Sequence, residues 1–291
     1  MKRTISHLLL AGCLYCCARP EPVSAQEYTT HVTKEFTLKN APSSSVLSIY
    51  NVFGPVKVEG YAGDKVLIEV DEKLSAKKAE VLEQAKQEFK LVFDQNADTV
   101  IAYIAEPNDS RPHDYRADRD RYHNIEYIYR LAFTVKVPYS MNLNVSTIND
   151  GDIQVKDVAG SLRVHNINGG ITVQNAKNAL ADIRTINGNI VVNHLGMPPT
   201  ESSYYTLNGK LEVTYPADLS ADITFKSMNG SFYTDFPEVK LLPGKVTKTT
   251  EKKAAGTVYK LSKISDVRVG NGGRTYKFET LNGNIYIRKQ S

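Results

Sequence analysis

The chain has 291 residues, 41% hydrophobic and 23% charged, with 17 Tyr, 9 Phe and no Trp. This is the balance of a folded globular protein with a sizeable core, and it excludes a disordered or collagen-like chain. A formal net charge of +4 argues against nucleic-acid binding, which needs a concentrated basic face.

The N-terminus reads as an export signal over residues 1–25. Lys2 and Arg3 precede a mostly apolar stretch from Ile5 to Ala18, and "VSA" at 23–25 supplies the small residues for cleavage before Gln26. The apolar run is shorter than the ~20 residues that span a bilayer, so the expectation is an exported chain without a transmembrane segment. "LAGC" at 10–13 offers a second reading, a lipoprotein box with Cys13 carrying a lipid anchor. Against it stand the shortness of the run and His7 within it. Cys13, Cys16 and Cys17 are the 3 cysteines of the chain. Cleavage before Gln26 therefore leaves no thiol for disulfides, catalysis or metal binding.

Residues 26–140 form an N-terminal β region. "VLSIYNV", "GPVKVEGY" and "KVLIEVDE" alternate apolar with polar residues, punctuated by Gly54, Gly60 and Gly63. "SAKKAEVLEQAKQEF" at 75–89 predicts an inserted helix, with Ser75 as N-cap and Ala79, Leu82, Ala85 and Phe89 on one side. Two strands follow around the Gln95–Asp98 turn, then a polar loop at 108–124 and a long strand, "IEYIYRLAFTVKVPY".

Residues 141–291 form a repeat array. Its turns are "TINDGDI", "NINGGI", "TINGNIVV", "TLNGKL", "SMNGSF" and "TLNGNI". The structural turn residues are Asn149 and Gly151, Asn168 and Gly169, Asn187 and Gly188, Asn208 and Gly209, Asn229 and Gly230, and Asn282 and Gly283. Successive asparagines are 19, 19, 21, 21 and 53 residues apart. Short strands repeating at a period near 20 predict stacked β coils. In this reading glycine supplies the positive φ of a tight turn, and in-register asparagines form a side-chain ladder. The last gap holds an exposed lysine-rich loop around 245–256, carrying Lys245, Lys248, Lys252 and Lys253, and the strands after it close the array. The fold class is all-β, a short β-solenoid or β-roll with one inserted helix.

These segments resemble the bacterial "putative adhesin" family of exported β-repeat domains, whose function is uncharacterised. The residues that carry the likeness are "SIYNVFGPVKVEGY", the helix at 75–89, "FTVKVPYSMNLNVSTIND", the turns "NGGITV", "NGNIVV" and "NGKLEV", and "VRVGNGGRTYKFETLNGNIYIRK". The resemblance covers about residues 35 to 288. It implies a solenoid-like fold, export to the periplasm or cell surface, and a role in adhesion or in the envelope. It brings no catalytic residues. The first main turn departs from the pattern with the extra Asp150.

Other constellations are weaker. A phosphate cradle needs a helix immediately after the glycine, and each turn here runs into a strand pattern. Asp150 and Asp152 form the nearest thing to a glycosidic carboxylate pair, and a carbohydrate-active enzyme using them is the alternative function. Asp109, His113, Asp114, Asp118, Asp120 and His123 are interleaved with Arg111, Arg116, Arg119 and Arg121, which reads as a charge-balanced loop rather than a metal site. No cofactor is expected. Tyr204, Tyr205, Tyr215 and Tyr233 could stack on a partner, but strands favour tyrosine in any case and the absence of Trp weakens a lectin reading, so the strand role is preferred. The expected function is non-enzymatic binding of an envelope protein or glycan through outward positions: Asp152, Gln154 and Lys156; Arg163 and His165; Thr172 and Gln174. A periplasmic structural or stress-sensing role is the third reading.

Overall fold

The computed structural model describes residues 25–112, 123–177, 181–198, 200–237, 239–243, 246–253, 256–263 and 265–291, and between 244 and 265 the backbone alone. Cys13 and the rest of the leader lie outside the described residues.

Strands β1 (Gln26–Thr37), β2 (Val46–Tyr50), β3 (Val56–Tyr61) and β4 (Lys65–Ala76) precede the α-helix α1 (Ala79–Glu88). Strands β5 (Lys90–Gln95), β6 (Thr99–Glu106), β7 (Ile128–Pro138) and β8 (Asn142–Ser146) lead into the repeats. These are β9 (Ile153–Lys156), β10 (Leu162–His165), β11 (Ile171–Ala176), β12 (Ala181–Asn187), β13 (Ile190–His194), β14 (Glu201–Asn208), β15 (Leu211–Tyr215), β16 (Ala221–Asn229) and β17 (Phe232–Thr234). Then come β18 (Val239–Leu241), β19 (Val246–Lys253), β20 (Gly256–Lys263), β21 (Ser265–Val269), β22 (Arg274–Asn282) and β23 (Ile285–Lys289).

The protein is all-β with one α-helix among the described residues, and two large mixed sheets face each other. The first has the order β1-β4-β7-β3-β9-β11-β13-β15-β23-β17; the second has β18-β21-β16-β22-β14-β12-β10-β8-β2-β6-β5. Neither closes into a barrel. From β8 to β17 successive strands alternate between sheets, so each repeat adds one parallel strand to each. Period-2 alternation places one side of every strand inward. Ile153, Ile171, Ile190, Leu211 and Ile285 are in register across the first sheet. Leu143, Leu162 and Ala181, and Ile183, Tyr204 and Phe278, line up across the second. These inward side chains are almost fully buried. Burying a large apolar side chain is worth about 1.5–3 kcal/mol, so the stacked interior is the main stabilising term.

Several expectations are corrected here. The last coil does not close the array. β22 lies between β14 and β16, and β23 between β15 and β17, all parallel. The chain therefore lays down β16–β17 one coil too far out, and its C-terminus fills the gap. That detour accounts for the spacing of 53 between Asn229 and Asn282. Beyond β16 the second sheet continues antiparallel through β21 and β18.

The helix is shorter than 75–89. Ser75 belongs to β4, which stays extended because it pairs with both β1 and β7. The N-cap is Lys78, with no side-chain cap bond. Leu82, Ala85 and Phe89 are buried, whereas Ala79 is exposed. The lysine-rich stretch is not a loop, since β19 and β20 pair as an antiparallel hairpin. Lys248, Lys252 and Lys253 fall in β19, and Lys245 lies outside the described residues.

Candidate functional site

The repeated turn is where the sheets meet. Gly151, Gly169, Gly188, Gly209, Gly230 and Gly283 all lack positive φ, which corrects the turn-conformation argument. Their role is close approach. A Cβ on Gly188 would stand 2.1 Å from the Gly169 carbonyl oxygen, and one on Gly209 would stand 2.0 Å from that of Gly188. Glycine is needed because each turn rests directly on the backbone of the turn before it. The positive-φ non-glycine residues are Asp150, Asp157 and Asn175, at 57–58°. Asp150 is the extra residue of the first turn.

Beside the glycines runs a continuous amide ladder. Asn168 donates to Asn149 (2.7 Å), Asn187 to Asn168 (2.8 Å), and Asn208 to Asn187 (2.8 Å). Asn282 then donates to Asn208 (2.7 Å), and Asn229 to Asn282 (2.7 Å). Each bond joins the same Nδ2 to the same Oδ1, so all six side chains point one way. At the N-terminal end Phe53 pairs with Asn149, and the ladder stops there.

Two residues before each asparagine is a polar side chain the sequence reading did not single out, buried at Thr147, Asn166, Thr185, Thr206 and Thr280 and half-buried at Ser227. Thr185 Oγ1 donates to the Gly169 carbonyl (2.8 Å), Thr206 to that of Gly188 (2.8 Å), and Asn166 Nδ2 to that of Gly151 (3.0 Å). These bonds satisfy the turn carbonyls within the stack. The recurring "T-x-N-G" spacing was the available signal.

Between this polar residue and the asparagine sits an outward residue, and it is aliphatic every time. Ile148, Ile167, Ile186, Leu207, Leu281 and Met228 form one row along the turn edge of the second sheet. Their flanking residues are in register. Ile167 is 37%, Ile186 38% and Met228 76% exposed, while Ile148, Leu207 and Leu281 are half-buried. Below this row lies a polar one, in which His165 faces Arg184, Arg184 faces Tyr205, Tyr205 faces Glu279, and Glu279 faces Lys226. Arg184, Tyr205, Lys226, Lys277 and Glu279 line a shallow depression there. Charges in it are paired. Arg184 Nε meets Asp182 Oδ1 at 2.7 Å, Lys226 meets Glu279, and Lys277 meets Glu201 at 3.5 Å. Burial lowers the His165 pKa, opposed by the Asp182 carboxylate 3.6 Å away.

The outward positions expected to act together are divided between opposite faces. Arg163 and His165 lie on the second sheet, whereas Gln154, Lys156, Thr172 and Gln174 lie on the first. On the first sheet Lys57, Gln154, Thr172, Val191, Glu212, Tyr286 and Tyr233 make one row across the coils. Tyr233 stacks on Tyr286 (5.0 Å between ring centres), with the Arg288 guanidinium 4.9 Å from the Tyr286 ring. Lys210 holds the Glu212 carboxyl below its ordinary pKa through a hydrogen bond.

Tyr204 and Tyr215 are core rather than contact residues. Both are 0% exposed. His194 Nε2 lies 2.7 Å from the Tyr204 hydroxyl, and its ring stacks on Tyr215. Asp152 is exposed, but its Oδ1 accepts the Gly170 amide at 2.7 Å, tying one turn to the next. Of the polar loop, Asp109 pairs with Arg111 at 2.6 Å; residues 113–122, including His113, Asp114, Arg116, Asp118, Arg119, Asp120 and Arg121, lie outside the described residues. Among the described residues no three His, Cys, Asp or Glu side chains gather as a metal site, and no helix is long and apolar enough to cross a membrane.

No protein-family model matches the chain, and no curated protein matches it. Among solved structures it is similar to a "putative cell adhesion protein" from Clostridium sporogenes ATCC 15579. That likeness has 10% sequence identity and a TM-score of 0.44, and covers 90% of this chain and 100% of that one. It is also similar to a "putative lipid binding protein" from Parabacteroides distasonis ATCC 8503, at 9% identity and a TM-score of 0.30, covering 90% of this chain and 97% of that one.

Proposed function

We propose that this chain is an exported, non-enzymatic, adhesin-like binding protein. It is a short two-sheet β-solenoid that holds a macromolecular partner of the cell envelope, glycan or protein, on the outward face of its second sheet. The observation that carries this is the aliphatic row Ile148, Ile167, Ile186, Leu207, Leu281 and Met228. The glycine contact, the hydroxyl bonds and the amide ladder each explain a residue type by what it does for the stack. Nothing in the stack asks for an apolar side chain at the outward position between them. Six in line, five strand spacings of about 4.8 Å, make a stripe of about 24 Å. A contiguous apolar stripe beside a polar band is the anatomy of an interaction surface. Export rests on the leader at 1–25. The absence of a catalytic role rests on the turn geometry of Asp150 and on Asp152 being engaged as a bridge between turns.

The test is a double substitution, Ile186→Lys with Leu207→Lys, in the protein beginning at Gln26. Binding to bacterial envelope fragments and to purified polysaccharides should weaken at least about tenfold, the effect of losing about 1.4 kcal/mol. The urea midpoint should move little, because Ile186 is exposed and Leu207, half-buried, sits on the outward side of β14. Unchanged binding with an unchanged midpoint would remove the stripe from the account.

A further inference from the structure

The ladder contains five Asn-Gly steps, at 168–169, 187–188, 208–209, 229–230 and 282–283. They are not equivalent, because the spatial order of the coils is not the chain order. The Gly188 amide donates to the Asn208 carbonyl (3.1 Å), the Gly209 amide to that of Asn282 (3.0 Å), and the Gly283 amide to that of Asn229 (3.1 Å). Asn168 and Asn187 form a parallel bridge, which sets the Gly169 amide against the Asn187 carbonyl. Asn229 lies at the outer end of the ladder: β17 is the edge of the first sheet, and the pairing of β16 with β21 on the second ends at Phe225. Among the described residues no backbone carbonyl accepts from the Gly230 amide. Its side chain has one ladder bond, to Asn282, whereas Asn168, Asn187, Asn208 and Asn282 each have two.

We infer that Asn229 is a site of spontaneous covalent modification, selected by its place at the open end of the ladder. The deprotonated Gly230 backbone nitrogen attacks Asn229 Cγ. A new C–N bond closes a five-membered imide, the Cγ–Nδ2 bond breaks, and ammonia leaves with the proton. Water then opens the imide to aspartate or isoaspartate. The step needs no oxidant or cofactor, only a free glycine amide and a side chain able to turn toward it. At the four inner steps the side chain carries two ladder bonds, and at 187–188, 208–209 and 282–283 the glycine amide is also bonded to the next coil, so cyclisation there requires local opening of the stack first. Exposure does not distinguish the steps, as all five asparagines are exposed. Once Asn229 is an acid it has no amide to donate, and a carboxylate oxygen faces the Asn282 Oδ1. One of the bonds that hold the outermost coil is lost, and the turn between β16 and β17 loosens.

The experiment is timed incubation of the native protein at mildly alkaline pH, followed by digestion and mass measurement of each Asn-Gly peptide. Asn229 should convert roughly tenfold or more faster than Asn168, Asn187, Asn208 and Asn282, since each of those must first break backbone and ladder bonds. Asn271–Gly272, in the turn between β21 and β22, is a step outside the ladder and calibrates the rate. In denaturant the five ladder steps should converge. Conversion of any inner step as fast as Asn229 in the native protein would overturn the inference, as would the same ranking in denaturant. An Asn229→Asp variant should show faster amide exchange over 227–234 with the coil at 181–194 unchanged; unchanged exchange at 227–234 would refute the loosening.

Discussion

At Gly188 and Gly209 the backbone of one turn lies on the backbone of the next, with room for a hydrogen and nothing larger. Gly188→Ala should therefore destabilise by about 1–3 kcal/mol, as over-packed sites do, measured as a lowered urea midpoint. An unchanged midpoint would mean that the turns do not touch. That Asn-Gly recurs was legible in the sequence. The reason for the glycine was not, because a positive-φ turn and a close backbone contact select the same residue. That Tyr204 and Tyr215 are core was hidden for a similar reason, since strand alternation alone does not say which face is inside. His194, beside them, has no partner for Nδ1, and burial lowers its pKa to about 4. An unfolded histidine titrates near 6.5. Below that pH the unfolded chain takes up a proton that the native state refuses until about pH 4. Stability is therefore full above about 6.5 and falls between there and about 4, by about 3 kcal/mol in all. Urea midpoints above, within and below that window should fall in the parent and stay flatter in a His194→Phe variant. Parallel slopes would exclude His194 as the cause.

Among the elements, α1 shows how far pattern reading reaches. Its helix-forming composition and buried Leu82, Ala85 and Phe89 were visible. Its start was not, because pairing with β1 and β7 carries β4 through Ser75 and Ala76. Leu82→Ala should cost about 2–5 kcal/mol if the helix is integral to the core; a loss confined to helical signal, with the global transition unchanged, would make it an independent appendage. The insertion of β22 and β23 was equally hidden. The spacing of 53 marks an interruption without saying which coil ends up outermost. Because that insertion supplies the neighbours of both β15 and β17, a chain truncated after Gly272 should lose protection in amide exchange over β16 and β17. Retained protection there would contradict the coil order.

For the whole molecule, the period near 20 corresponds to one strand in each of two sheets, which is why the all-β architecture could be read from spacing alone. The surface was less legible. Every second residue of a strand points outward, but the sequence does not reveal that alternate strands belong to opposite sheets. Arg163 and Gln154 were thus grouped together although they face away from each other. The aliphatic row was overlooked because its members look like ordinary core positions of a T-x-N-G repeat. Its meaning is tested most directly by measuring envelope and polysaccharide binding of three proteins in parallel: the parent, the Ile186→Lys/Leu207→Lys double variant and an Asp150→Ala/Asp152→Ala double variant. The account predicts that the aspartate variant keeps its affinity and the lysine variant loses it while remaining folded. Affinity retained by the lysine variant, or turnover of a polysaccharide abolished only in the aspartate variant, would contradict it.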